Sequence, residues 1–382
     1  MPRVRRRFLE ASAEVGVYHC INRCVRRAFL CGADSVTGKN FDHRRQKIQD
    51  RLEYLAGSFG IDVLGFAVMS NHFHVILRNR PDVVQNWNDL EVAQRWLAIF
   101  PKRRDDDGNA LPPTEFELST ITAVPNRLAE VRKRLSDVSW LMRCLVEPIA
   151  REANKEDLVT GSFWEGRYKC QPLLDESALA ACLAYVDLNP IRAQIADTPE
   201  TSKHTSVYER ILAAVTAAGQ ITTELADQNA TAVSWEPQDE SATATAPNQP
   251  PRQHELLRPK PIRPIGEWLS QFELSEEGER EPIPSQRASN KGCLPMSFAD
   301  YLELLDWTGR QLRSDKRGAI PQQMAPILER LKITEEGWLL LMRRFRRMFR
   351  RAAGRPQSMV DERQRRGCQL MQGISHSRAV FV

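Results

Sequence analysis

Hydrophobic and polar positions divide the chain into stretches of different period. VGVYHCINRCV (15–25) alternates, with Val17, His19 and Ile21 on one face and Tyr18, Cys20 and Asn22 on the other, the two-residue period of a strand. Residues 41–59 change to a helical period, with Ile48, Leu52 and Leu55 on one side. VLGFAVM, a short Ser70-Asn71 turn and HFHVILRN then predict a hairpin. Residues 101–125 are polar and proline-containing and predict an inserted loop, followed by helix over 126–155. The turn VTGSFWEGRYKCQPLLD leads into the helix ESALAACLAYVDLN, which Pro190 stops. Over 217–265 Ala, Thr, Gln, Asn and Pro dominate, a composition with few large apolar side chains to bury. Order resumes near 295 with PMSFADYLELLDWTGRQ and ends on WLLLMRRFRRMFRRAAG. In that last segment Trp338, Leu341, Met342, Phe345, Met348, Phe349 and Ala352 share one helical face, opposite Arg343, Arg344, Arg346, Arg347, Arg350 and Arg351. The pattern predicts an α+β protein, an antiparallel sheet with flanking helices. The expected domains are a first over 1–215, carrying the 101–125 insertion, a linker over 216–292, and a helical, Arg-rich region over 293–382.

Composition narrows the setting. The 382 residues are 42% hydrophobic and 27% charged, ordinary for a globular protein long enough for more than one domain. The sequence holds no run of eighteen apolar residues, and its basic start lacks the apolar core of a secretory signal, so a cytoplasmic protein is expected. Cysteines stand at 20, 24, 31, 144, 170, 182, 293 and 368 without a Cys-x-x-Cys pair. A zinc knuckle from Cys20, Cys24 and Cys31 is therefore disfavoured against reduced, buried thiols. The net charge of +5 is unevenly spread: residues 339–382 carry eleven arginines against Asp361 and Glu362. A basic concentration of that kind suits a polyanion partner, most simply nucleic acid.

Three stretches carry candidate chemistry. In MSNHFHVIL, His72 and His74 lie two apart on a strand, so both side chains leave one face about 6–7 Å apart at Cα. Neutral imidazoles so placed can share a divalent cation. With no third histidine nearby, oxygen donors and open positions suit magnesium or manganese on a phosphate better than zinc. A half-buried strand that happens to contain histidines is the plain alternative. In AACLAYVDLNPIR, Tyr185 and Asn189 stand one helical turn apart and can approach one site as hydroxyl and amide. An ordinary tyrosine ionises near pH 10 and needs a cation close by to attack well; otherwise Tyr185 packs on the sheet and Asn189 caps a helix end. In GSFWEGRYKCQ, Arg167 and Lys169 interleave with Trp164 and Tyr168, a pattern that grips phosphates while stacking unpaired bases. The alternative is a solvated loop anchored by its tryptophan.

VYHCINRC, GFAVMSNHFHVIL, GSFWEGRYK and LAYVDLNPIRA, in that order over about residues 10–200, resemble the single-tyrosine HUH transposases, and among them the REP-associated, transposase-like type. The resemblance implies a ferredoxin-like or palm-like α+β domain. It implies a Mg2+ or Mn2+ site at His72 and His74 completed by Asn189, and Tyr185 as the nucleophile that forms a 5′-phosphotyrosine with single-stranded hairpin DNA. The expected product is cleaved and rejoined DNA, and the expected state a monomer or homodimer that is not a membrane protein. Two features depart from that family pattern, the long 101–125 insertion and everything beyond about 200. Arg343, Arg346, Arg347 and Arg350 of the last helix are expected to add DNA contacts, since like charges on one helix repel without an anion. A catalytically silent hairpin-binding regulator is the second reading. A replication or plasmid-relaxation nuclease ranks third, because such enzymes carry more histidines and often paired tyrosines. Tyr168, flanked by Arg167 and Lys169, is the rival nucleophile.

Overall fold

The computed structural model describes residues 14–25, 30–32, 38, 40–217, 266–274, 286–312 and 324–382. Arg3, Arg5, Arg6 and Arg7 and the segment 218–265 lie outside the described residues.

Four strands, β1 (Val17–Arg23), β2 (Ile61–Val68), β3 (His72–Asn79) and β4 (Lys169–Leu173), form one antiparallel sheet in the order β2-β3-β1-β4. Helix α1 (His43–Ser58) joins β1 to β2, and five helices lie between β3 and β4: α2 (Pro81–Asn86), α3 (Asp89–Ile99), α4 (Glu115–Thr122), α5 (Pro125–Leu135) and α6 (Val138–Glu156). The hairpin strands β2 and β3 are buried along nearly their whole length because helices cover both faces of the sheet. Tyr18, Cys20, Phe73, Val75 and Leu77 face one core with α1 and α6. The alternate positions face a second core built on α7 (Glu176–Asp187). There β1 places His19, Ile21 and Arg23 beside Ile76, His74 and His72 of β3.

Helix α7 is buried at every position from Ser177 to Asp187. A helix apolar all round has to be covered on the side away from the sheet as well. After α8 (Asn189–Arg192) and α9 (206–217), the cover comes from α10 (Phe298–Leu312), α11 (Met324–Arg330), α12 (Glu335–Met348), α13 (Pro356–Arg365) and α14 (Ile374–Val380), with α12 packed directly on α7. The C-terminal helices therefore share one core with the sheet and α7. Asp187, 1% exposed, pins the layers: it accepts hydrogen bonds from Ser206 Oγ (2.6 Å), the Val207 amide (3.1 Å) and Tyr301 Oη (2.7 Å).

The structure departs from the expected elements in four places. Residues 115–122 of the expected loop form α4, opened by a reciprocal cap between Thr114 and Glu117. The helix expected over 126–155 is two, broken at Ser136-Asp137, where Asp137 caps the Ser139 amide at 2.6 Å. The described end of the 216–292 linker belongs to the core: Trp268, Leu269 and Phe272 are buried. Arg78 of β3 also binds this segment, donating to the Gly292 and Lys291 carbonyls while paired with buried Asp62 at 2.7 Å. Finally, α12 ends at Met348, so Arg350 and Arg351 follow the helix instead of riding on it.

Candidate active site

His72 and His74 enter the site from the start of β3. His74 is 1% exposed and His72 half-buried, their rings 4.9 Å apart. Hydrogen bonds set the proton positions. His72 Nδ1 lies 2.7 Å from the Asn71 side-chain oxygen, which only accepts, so Nδ1 carries the proton and Nε2 the lone pair. His74 Nε2 accepts from the Asn189 amide nitrogen at 2.9 Å, so its Nδ1 donates to His19 Nε2 at 2.8 Å. His19 was read from the sequence only as a strand position. The pairing of β1 with β3 places it under His74, stacked at 5.1 Å and 17°.

All three imidazoles are neutral at physiological pH. Burial pushes His19 down to about 3 and His72 to about 4, and holds His74 well below its ordinary value; the charge of Arg346 adds to each. Neutral imidazole is the form that ligates metals; His72 Nε2 is free, and His74 Nε2 would have to give up its hydrogen bond from Asn189. Among the described residues no three His, Cys, Asp or Glu side chains are grouped to hold a metal ion, so a third protein donor beside the two histidines would be a neutral oxygen. Asn189 is the amide beside His74, but its nitrogen is the atom 2.9 Å from His74 Nε2, so the amide would turn over to present its oxygen there. The donor set fits a hard, partly open divalent site and does not fit closed tetrahedral zinc.

Tyr185 and Asn189 reach this point together. α7 carries Tyr185 in its last turn, Leu188 continues the helical path, and Asn189 opens α8. The Tyr185 ring, 7% exposed, meets His74 edge-on at 6.1 Å. Arg192, one turn beyond, holds its guanidinium 4.5 Å from the centre of the Tyr185 ring, and its buried Nη1 has no hydrogen-bond partner. LNPIR places this guanidinium one helical turn after Asn189. On its other side Tyr185 stacks on Phe345 of α12 at 5.6 Å and 29°.

A basic recess opens beside His72, lined by Arg23, Arg167, Lys169 and Arg346 with Glu165. It adjoins a groove of about 610 Å³ that runs past Tyr168 and Trp140, flanked by Lys133, Arg134 and Arg143. Arg134 and Arg143 sit 4.2 and 5.2 Å from the Trp140 ring centre. Asn22 lines both depressions, buried, its amide nitrogen without a partner. Arg167 and Lys169 are exposed there, while Tyr168 is half-buried and hydrogen-bonded to Ser139 Oγ at 2.9 Å. Trp164 is corrected: it is 7% exposed, packs edge-on against Phe73 and Phe163 and donates to the Val146 carbonyl at 2.9 Å, so it anchors the core instead of stacking bases. Trp140, half-buried against Trp96 and Phe100, is the aromatic ring that lines the groove, and its segment carries no sequence signal for this. Arg343, Arg347 and Arg350 are exposed and do not line the recess. The cysteines are unbridged, and Cys20, Cys24 and Cys31 are buried. No described helix is long and apolar enough to cross a membrane.

No protein-family model matches the chain, and no curated protein matches it. Among solved structures, one described as the REP-associated tyrosine transposase bound to a REP hairpin aligns with 56% of this chain and 86% of its own, at 10% identity and a TM-score of 0.32. A likeness of that size establishes neither fold nor function for this chain.

Proposed function

We propose that the protein is a metal-dependent enzyme that cuts and rejoins single-stranded DNA through Tyr185, acting on strands that fold into hairpins. The observation that carries the reading is the meeting, within hydrogen-bond and ring contact, of His74, Asn189 and Tyr185 from two segments more than a hundred residues apart. The β-α-β-β-α-β order of the sheet supports the ferredoxin-like form of the fold. The hairpin substrate is what the resemblance of the sequence motifs to the REP-associated transposases implies.

His72 Nε2, His74 Nε2 and, with its amide turned over, the side-chain oxygen of Asn189 would hold Mg2+ or Mn2+. A bound ion supplies Lewis-acid charge beside the phosphate oxygens. The protein's own part is positioning. Tyr185 Oη forms a bond to phosphorus, the bond from phosphorus to the 3′ oxygen breaks, and the phenol proton ends on that oxygen. The 5′ phosphate stays on the tyrosine, and a second 3′ hydroxyl reverses the step, so rejoining needs no outside energy. Arg192 keeps a positive charge on the ring whose oxygen loses its proton. Arg167 and Lys169 hold flanking phosphates. The groove past Tyr168 and Trp140 takes the single strand, with the free amide of Asn22 as a donor at its bend. Arg343, Arg347 and Arg350 form an outer basic surface for the duplex stem.

The buried state of the Tyr185 ring favours a second reading, a hairpin-binding regulator without chemistry. Incubation with hairpin-bearing single-stranded DNA separates them. A DNA-protein adduct that resists denaturation is expected with manganese and not with EDTA. Binding without any adduct, and unaffected by metal, would instead establish the regulator.

A further inference from the structure

The apolar side of α12 covers α7, and two consecutive residues of α12 reach the candidate site. Phe345, fully buried, stacks on Tyr185. Arg346, exposed, lines the recess next to His72 with Arg23, Arg167 and Lys169. The one carboxylate there, Glu165, is paired with Arg23 at 3.5 Å. Arg346 has no carboxylate within ion-pair distance among the described residues. Packing alone does not call for an arginine at this position. Four cations and one carboxylate around a small recess repel each other unless an anion sits between them.

We infer that Arg346 is a phosphate-binding residue of the strand-cleaving centre, delivered from the C-terminal region of the same chain, and that Phe345 positions the Tyr185 ring. The inference rests on the reading above and names its ligand: a backbone phosphodiester of the single strand, next to the bond that is cut. The recess faces the His72 imidazole on one side and the Trp140 groove on the other through Asn22 and Arg167, so a phosphate in it lies on the path of the strand. α12 thus completes the site, where a helix lying over a catalytic tyrosine could instead block it.

The test uses the full chain and its Arg346→Ala, Arg346→Lys, Arg344→Ala and Phe345→Leu variants, each checked for an unchanged thermal transition except Phe345→Leu. Binding of a mixed-sequence single strand of about 20 nucleotides is measured in EDTA across a salt series, so metal and chemistry play no part. Arg346→Ala is expected to bind about tenfold more weakly and to lower the slope of log K against log salt by about 0.7, the loss of one phosphate contact; Arg346→Lys restores most of the slope. With manganese and saturating hairpin DNA, Arg346→Ala is expected to slow adduct formation by about 100-fold or more, Arg344→Ala, on the same helix but outside the recess, to leave that rate unchanged, and Phe345→Leu to slow it. Wild-type slope and affinity in Arg346→Ala overturn the inference whatever the adduct assay shows. Faster adduct formation in Arg346→Ala or Phe345→Leu overturns it too, making α12 an inhibitory cover. Should wild type form no adduct while the slope still falls in Arg346→Ala, the anion site stands and the strand-cleaving function fails.

Discussion

At the scale of residues, the site depends on three histidines kept neutral by burial. The folded protein binds fewer protons than the unfolded chain wherever a histidine value is lowered, so stability is lost as pH falls from about 6.5 towards 4. The melting temperature is expected to drop steadily between pH 7 and pH 5, and less steeply in His19→Gln, which removes one titrating ring while keeping a hydrogen-bond acceptor for His74 Nδ1. A wild-type melting temperature that is flat over this range would contradict the buried, neutral cluster. His72, His74, Tyr185 and Asn189 were legible because their spacing within a strand or helix is set by backbone geometry. His19 was not, since its place depends on which strand lies beside β3, and that order is a property of the whole sheet. Arg192 was within reach, one turn after Asn189, and went unread because its role appears only with the tyrosine ring beneath it.

At the scale of elements, the two tryptophans beside the groove make opposite contributions. Trp164 is buried between the sheet and α6, and Trp164→Ala is expected to cost about 3–5 kcal/mol in urea unfolding. Trp140 stands at the groove with two guanidinium groups against its ring, and Trp140→Ala is expected to weaken single-strand binding by about 1–3 kcal/mol. The reverse pattern would return base stacking to Trp164. Helix α6 also shows how an element tolerates a local fault. Pro148 cannot donate to the Cys144 carbonyl, and Arg51 of α1 donates to it instead at 3.2 Å. Helix α4 had a readable signal, Thr114 three residues before Glu117, which the proline-rich flank outweighed. The burial of Trp268 and Phe272 was unreadable locally, because a short apolar cluster has no period of its own.

At the scale of the molecule, the sheet and its hairpin were legible, whereas the unity of the two ends was not. The segment 217–265 reads as a separator, and nothing in its composition tells that the helices after it return to α7. The burial of α7 on all sides contains the hint, since a fully apolar helix needs a second cover. Ending the chain after residue 217 strips that cover and leaves Asp187 without Tyr301. The shortened protein is expected to aggregate or to unfold without a sharp transition in circular dichroism; a soluble, cooperatively melting product would show that the first half is a domain by itself.

The central claim is that Tyr185 becomes joined to DNA. The most direct measurement is peptide mapping by mass spectrometry of the protein after reaction with hairpin-bearing single-stranded DNA and manganese. The expected result is a nucleotide mass on the peptide containing Tyr185, lost in Tyr185→Phe and retained in Tyr168→Phe. A nucleotide on Tyr168, or none on any tyrosine of a folded, DNA-bound protein, would contradict it.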